Sequence, residues 1–185
     1  MSHPKTRTTR TRQLLPVLAI LLLAGCAAPR TGPGDVDARI AALGLDLPTL
    51  VEPTNNYVHA VTSGKLVFLA GKGPARPDGS NITGKLGGDL TVEQGYAAAR
   101  RVAEIQLAAL RQEVGDLNRV RRIVKVHGMV NATPDFTGHS AVINGFSDLI
   151  VEVFGERGKH ARAAVGMSSL PGGIAVEIEV VAELY

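Results

Sequence analysis

The sequence predicts one α+β domain, a sheet with two helices on one of its faces, and three observations carry that prediction. Apolar spacing runs in the order strand, strand, helix, strand, helix, strand, strand, changing between a period of two and a period of three to four. In the last strand Ile174, Val176, Ile178, Val180, Ala182 and Leu184 are all apolar, while Glu177, Glu179 and Glu183 take the opposite face. A hydrophobic content of 45% with 20% charged residues over 185 positions fits a single core, and excludes global disorder and a multi-span membrane protein.

The chain starts with a leader. Lys5, Arg7, Arg10 and Arg12 precede an apolar run from Leu14 to Leu23, too short to cross a bilayer of roughly 30 Å as a helix. Leu23, Ala24, Gly25 and Cys26 follow, a tetrad that resembles a bacterial lipobox. The expectation is a lipoprotein signal peptide over 1–25, lipidation at Cys26, and a tether with a short helix over 26–50 ahead of the main domain at 51–185. Several acyl chains on one residue anchor far more firmly than one. With Ala27 rather than Asp after the cysteine, the expected destination is the periplasmic side of a bacterial membrane, the outer one in preference. The membrane is then a partner through the lipid anchor only.

Charge and cysteine usage narrow the chemistry. The leader holds four of the 20 Lys and Arg and none of the 17 Asp and Glu, so the formal charge of +3 becomes −1 once it is removed. That leaves no electrostatic footprint for nucleic acid. Cys26 is the single cysteine and lipidation consumes it, which rules out thiol catalysis, disulfides and cysteine metal sites in the domain.

Each element then follows in order. Val36 to Leu43 is a short helical pattern ended by Gly44, and 57–62 and 65–70 form a hairpin around Ser63 and Gly64. Residues 71–90, with six glycines and two prolines, are mostly loop. Val92, Tyr96, Ala99, Ala103, Leu107, Leu110 and Val114 mark a long amphipathic helix that Thr91 caps and Gly115 closes. Residues 120–130 are β-branched and strand-like. Pro134 and Asp135 break that strand before a second helix with Val142, Phe146, Leu149, Ile150 and Val153 on its apolar face. Strands over 162–168 and 174–184 flank Leu170, Pro171, Gly172 and Gly173, and this arrangement reads as a strand pair about a tight connection.

Few residues in this frame carry recognisable chemistry. His59, His127, His139 and His160 have no metal-ligand spacing, so neither a metal nor another cofactor is expected. Ser168 and Ser169 lack the context of a nucleophilic serine, and the glycines at 71 and 73 lack a phosphate-loop spacing. The terminal block is more informative: a hairpin there places Arg162 beside Glu177 on the face away from the helices. On residue chemistry alone that pair reads either as a ligand site or as a simple cross-strand ion pair to Glu177 or Glu179, worth under about 1 kcal/mol if exposed.

The same block resembles the RidA/YjgF family. Ala161 and Arg162, then Leu170 and Pro171, then Val176, Glu177, Ile178 and Glu179 follow the family's pattern of arginine strand, Leu-Pro turn and glutamate strand. Tyr57, the stretch from Gly64 to Gly71, and Asn144 match further landmarks, and the likeness covers about residues 55–185. It implies a chorismate mutase-like fold of the bacillar type, with a mixed sheet, assembled as a homotrimer with clefts between subunits. It further implies hydrolytic deamination of 2-imino or enamine acids to 2-keto acids and ammonia. Arg162 and Glu177 would be catalytic, and Tyr57, Ala70, Gly71, Asn144 and Ala164 would bind substrate. The sequence departs from the deaminating pattern at Ala70 in place of Ser, Lys72 in place of Gln and Ala164 in place of Cys. These losses leave a second reading open, a non-catalytic module that captures a small carboxylate in the same cleft.

Overall fold

The computed structural model describes Met1 and residues 35–185. The leader, Cys26 and the tether up to residue 34 lie outside the described residues. Among the described residues no helix is long and apolar enough to cross a membrane.

Local sequence accounts for most of the elements. Helix α1 (Val36–Ala42) starts where the Asp35 side chain accepts from the backbone N–H groups of Asp37 and Ala38, and it buries Val36 and Ile40. Strands β1 (Ala60–Ser63) and β2 (Leu66–Lys72) form the expected hairpin, with Ser63 opposite Leu66. Helix α2 (Val92–Val114) begins with a complete capping box, in which Thr91 Oγ1 accepts from the Gln94 N–H and the Gln94 side chain accepts from the Thr91 N–H. Strand β3 (Val120–Asn131) leads to helix α3 (His139–Phe154), then to strands β4 (Ala161–Met167) and β5 (Val176–Leu184).

The five strands make one mixed sheet in the order β1-β2-β5-β3-β4. Helices α2 and α3 lie on one face, and Leu107, Leu110, Phe146, Leu149, Ile150 and Ile178 are fully buried between the layers. The strict alternation of β5 is realised, with Val176, Ile178, Val180, Ala182 and Leu184 all buried. Gly145 of α3 sits against the Tyr96 carbonyl of α2, where any Cβ would overlap backbone. The two helices therefore approach more closely there than a side chain would permit.

One expectation is corrected. Strands β4 and β5 are not a hairpin pair, because β3 lies between them and pairs with both. Strand β4 runs parallel to β3, with Arg162 opposite Val126, whereas β5 runs antiparallel to β3, with Glu177 opposite Met129. The Leu-Pro-Gly-Gly segment is consequently a crossing connection, although its glycines gave it the composition of a tight turn.

Candidate functional site

Strand β4 is the edge of the sheet, and its alternation sends Arg162 toward the helices. Its register partner Val126 is a core residue, so neighbouring side chains at that level share the helical face. Ser140, Asn144 and Ser147 recur at helical spacing along the side of α3 that meets it. Arg162 Nη1 donates to Asn144 Oδ1 at 2.9 Å and to Ser147 Oγ at 2.9 Å, and Nη2 reaches the Ser140 carbonyl at 3.5 Å. Among the described residues the Nε–H and the second Nη2–H carry no hydrogen bond. The guanidinium is thus fixed on one side and presents its other edge outward, the edge that suits a bidentate carboxylate.

The anchoring continues one residue further. His160 Nδ1 lies 2.7 Å from the Gly158 carbonyl, so it carries the proton, and Nε2 at 3.1 Å then accepts from the Ser147 hydroxyl. Ser147 can therefore accept from Arg162 while donating to His160, and the whole chain from guanidinium to carbonyl is satisfied. Burial holds His160 below its ordinary value, outweighing the Gly158 hydrogen bond, and the Arg162 charge pushes it the same way as burial. The neutral imidazole that the relay needs is the form this environment favours.

Glu177 lies elsewhere. It faces the uncovered side of the sheet, two strands from Arg162 laterally and three residues further along, so the two Cα atoms are roughly 14 Å apart by strand geometry. Neither the expected contact with Glu177 nor the simple ion pair across a hairpin exists, because β3 intervenes and the two side chains leave opposite faces. The carboxylate instead covers Gly71, whose missing side chain makes room for Glu177 Oε1. Burial raises the Glu177 pKa and the neighbouring Glu179 adds to the rise, with Lys72 opposing.

A bulge in β2 between Leu69 and Lys72 shapes this second group. Gln106 of α2, itself buried, donates to the Ala70 carbonyl at 3.0 Å and to the Ile178 carbonyl at 2.6 Å, fixing the bulge from beneath. Beyond it Lys72 is buried and its Nζ lies 2.7 Å from His59 Nδ1, while His59 Nε2 meets the Val51 carbonyl at 2.9 Å. Burial lowers the Lys72 pKa against the pull of Glu177. A groove of about 350 Å³, with Val58, Val61, Phe68 and Glu179 in its walls, opens beside Ala70 on the uncovered face.

The seven expected site residues thus fall into two groups. Arg162, Ala164 and Asn144 belong to the β4 edge, and Ala70, Gly71, Glu177 and the half-exposed Tyr57, just ahead of β1, belong to the other half. Strands β1 and β4 are four strand spacings apart, about 19 Å. Sequence reasoning missed Ser147, Gln106 and the pairing role of His160. The first was legible as the third member of a polar stripe at 140, 144 and 147, at helical spacing along one side of α3. Gln106 offered no signal, since one amide in an amphipathic helix normally faces solvent. Among the described residues no group of three or more His, Cys, Asp or Glu stands close enough to hold a metal ion.

Comparison with known proteins places this geometry. Residues 37–184 match the family described as "YjgF/chorismate mutase-like, putative endoribonuclease". Protein TCP17 of Trypanosoma cruzi is 46% identical over 152 residues, covering 82% of this chain and 95% of that protein. A crystal structure from Agrobacterium tumefaciens, of a protein with unknown function, superposes with a TM-score of 0.75 at 39% identity, covering 81% of this chain and 93% of that one. Another from Shewanella oneidensis, named a "putative endoribonuclease", gives 0.78 at 32% identity, covering 81% and 99%.

Proposed function

We propose, from the premise that this chain belongs to the YjgF/RidA-like family, that it hydrolyses 2-imino or enamine acids to 2-keto acids and ammonia on an exported, lipid-anchored homotrimer. Members of this family are generally homotrimeric and bind small ligands. The observation that carries the reading is the outward edge of Arg162, held by Asn144 and Ser147 without any carboxylate partner among the described residues. A positive fork prepared in this way awaits an anion.

The division of the site residues between two halves of the sheet supports an inter-subunit cleft. One ligand can touch both groups only when the β4 edge of one protomer meets the β1–β2 side of another. The uncovered face of the sheet supplies a reason to assemble, since Val61, Phe68, Val165 and Met167 are each at least 36% exposed there.

In such a cleft Arg162 grips the substrate carboxylate and Glu177 of a second protomer faces the imine carbon. The Glu177 carboxylate takes a proton from water as the oxygen adds to the C=N carbon and passes it to the nitrogen, giving a neutral carbinolamine. It then carries the hydroxyl proton to the amine as the C–N bond breaks and the C=O bond forms, releasing ammonia and the keto acid. The raised pKa of Glu177 makes it a better base than an ordinary surface carboxylate. The endoribonuclease in the family's description is not carried over, because the chain after residue 25 has a formal charge of −1.

A second reading, capture of a small carboxylate without turnover, is favoured by Ala70 and Ala164, which offer no side-chain hydrogen bond where deaminating relatives have Ser and Cys. The test follows ammonia release from imines generated in situ by an amino acid oxidase, using the protein from Ala27 onward beside its Arg162→Ala variant. Faster release by the unaltered protein supports deamination. Equal rates for both proteins and buffer dismiss it, and 2-keto acid binding that disappears in the variant would then establish capture.

A further inference from the structure

Where β3 and β4 finish, the molecule holds a cavity of about 600 Å³ that none of the candidate site residues lines. Its walls include Lys85, Thr133, Pro134, Phe136, His139 and Ser168. This is a size that suits an organic metabolite. Its position follows from topology: β3 and β4 are parallel and α3 connects them, so the carboxyl ends of both strands converge with the first turn of α3. Parallel units of this kind hold ligands at that end.

The charge inside the cavity is unbalanced. Lys85 Nζ donates to Asn131 Oδ1 at 2.9 Å and to the Ser168 carbonyl at 2.5 Å, both neutral oxygens. Asn131 is buried and held in turn by the Ile174 carbonyl at 3.2 Å, so the ammonium has a fixed position. No ion pair among the described residues involves Lys85, and an ammonium has three donors, which leaves one for a ligand. The first turn of α3 beside it has no side-chain cap, which adds a positive dipole end to the same space. The same space is lined by Pro134 and by the rings of Phe136 and His139, which meet edge to face at 5.2 Å.

We propose that this cavity is a second binding site, separate from the Arg162 cleft, for an organic anion with an apolar, aromatic body. The carboxylate meets Lys85 and the body lies against Phe136, His139 and Pro134. The inference does not depend on the deaminase reading.

The test titrates the full-length protein with 2-naphthoate, read by calorimetry and by the histidine ring C–H signals in NMR spectra. Naphthoate is expected to move the His139 signals. Lys85→Met should weaken binding at least about tenfold, since it removes a charge-assisted hydrogen bond, while Lys85→Arg and Arg162→Ala leave it within about threefold. Inorganic phosphate should bind at least about tenfold more weakly, because it gains nothing from the apolar wall. Unmoved His139 signals in the unaltered protein would overturn the proposal, as would equal affinity in a folded Lys85→Met variant. Loss of binding in Arg162→Ala would assign the anion to the other site, and phosphate binding as tightly as naphthoate would remove the organic body. If Lys85→Met does not fold, the His139 signals of the unaltered protein decide.

Discussion

The two halves of the sheet treat charge in opposite ways. At the β4 edge a guanidinium is held by neutral acceptors, Asn144, Ser147 and the Ser140 carbonyl, and its relay through His160 is complete. Across the sheet Glu177 is a partly buried carboxylate with a second carboxylate nearby, and its ionised form is disfavoured. The first environment secures a charge and leaves an edge free to bind. The second makes a charge costly and so suits a group that exchanges protons. In the proposed mechanism a binding site and a proton-transfer site are built at separate places in one chain, and assembly is what brings them together.

The sharpest break of this contrast is Glu177→Gln, which keeps the shape and removes the base. Ammonia release should fall by about 10² to 10⁴ with little change in KM. Because folding raises the Glu177 pKa, the group favours the fold at pH values below its ordinary one, and this contribution is lost as pH rises through the folded value. The variant should therefore be no less stable than the unaltered protein at neutral pH, and thermal melts check this. A large loss of stability would mean that Glu177 is a structural residue.

Arg162→Ala attacks the other half. Losing charge-assisted hydrogen bonds of about 1.5–3 kcal/mol should raise KM, or the Kd of a 2-keto acid, by roughly 10- to 100-fold. Arg162→Lys should recover little, since an ammonium cannot reproduce the fork. Recovery of full affinity would show that charge alone matters there.

Gly145→Ala tests the support beneath Asn144 and Ser147. Its Cβ would meet the Tyr96 backbone carbonyl, which cannot swing aside as a side chain can. An overpacking cost of about 1–3 kcal/mol is expected, lowering Tm by roughly 3–10 °C. An unchanged Tm would show that α2 and α3 can separate freely.

The smallest effect belongs to His160→Ala, which removes the far end of the relay. KM for the carboxylate should rise a few-fold at neutral pH, the change of about 1 kcal/mol or less typical of a neutral hydrogen bond. The folded protein holds His160 below its usual pKa, so neutral His160 favours the fold fully above that ordinary value, and this contribution fades as pH falls through the lowered one. KM of the unaltered protein should rise over the same acid range, and the variant should lack that inflection. Identical pH profiles would reduce His160 to a packing role.

Much of this molecule is legible in local sequence because its elements obey short-range rules. The Thr91 and Gln94 capping box, the alternation of Ile178 and Val180, and the break at Pro134 act within a few residues, and each element formed close to where they put it. The chemistry of the site residues was equally readable: an arginine on one strand, a glutamate on another and an asparagine on the preceding helix. Their arrangement was not, because strand partners are chosen by tertiary packing. The glycines at 172 and 173 suggest a hairpin, yet inserting β3 between β4 and β5 gives an apolar strand neighbours on both edges and lets α3 cross between parallel strands. That single placement turns Arg162 toward Asn144 and Ser147 and away from Glu177, and it opens the cavity around Lys85. The sequence by itself determined which groups are available and that alternate positions of each strand take opposite faces, but it put Arg162 on the face away from the helices, whereas the structure turns it toward them. Only the tertiary structure decided which of them meet, since strand order is settled by the burial of whole surfaces rather than by any one segment.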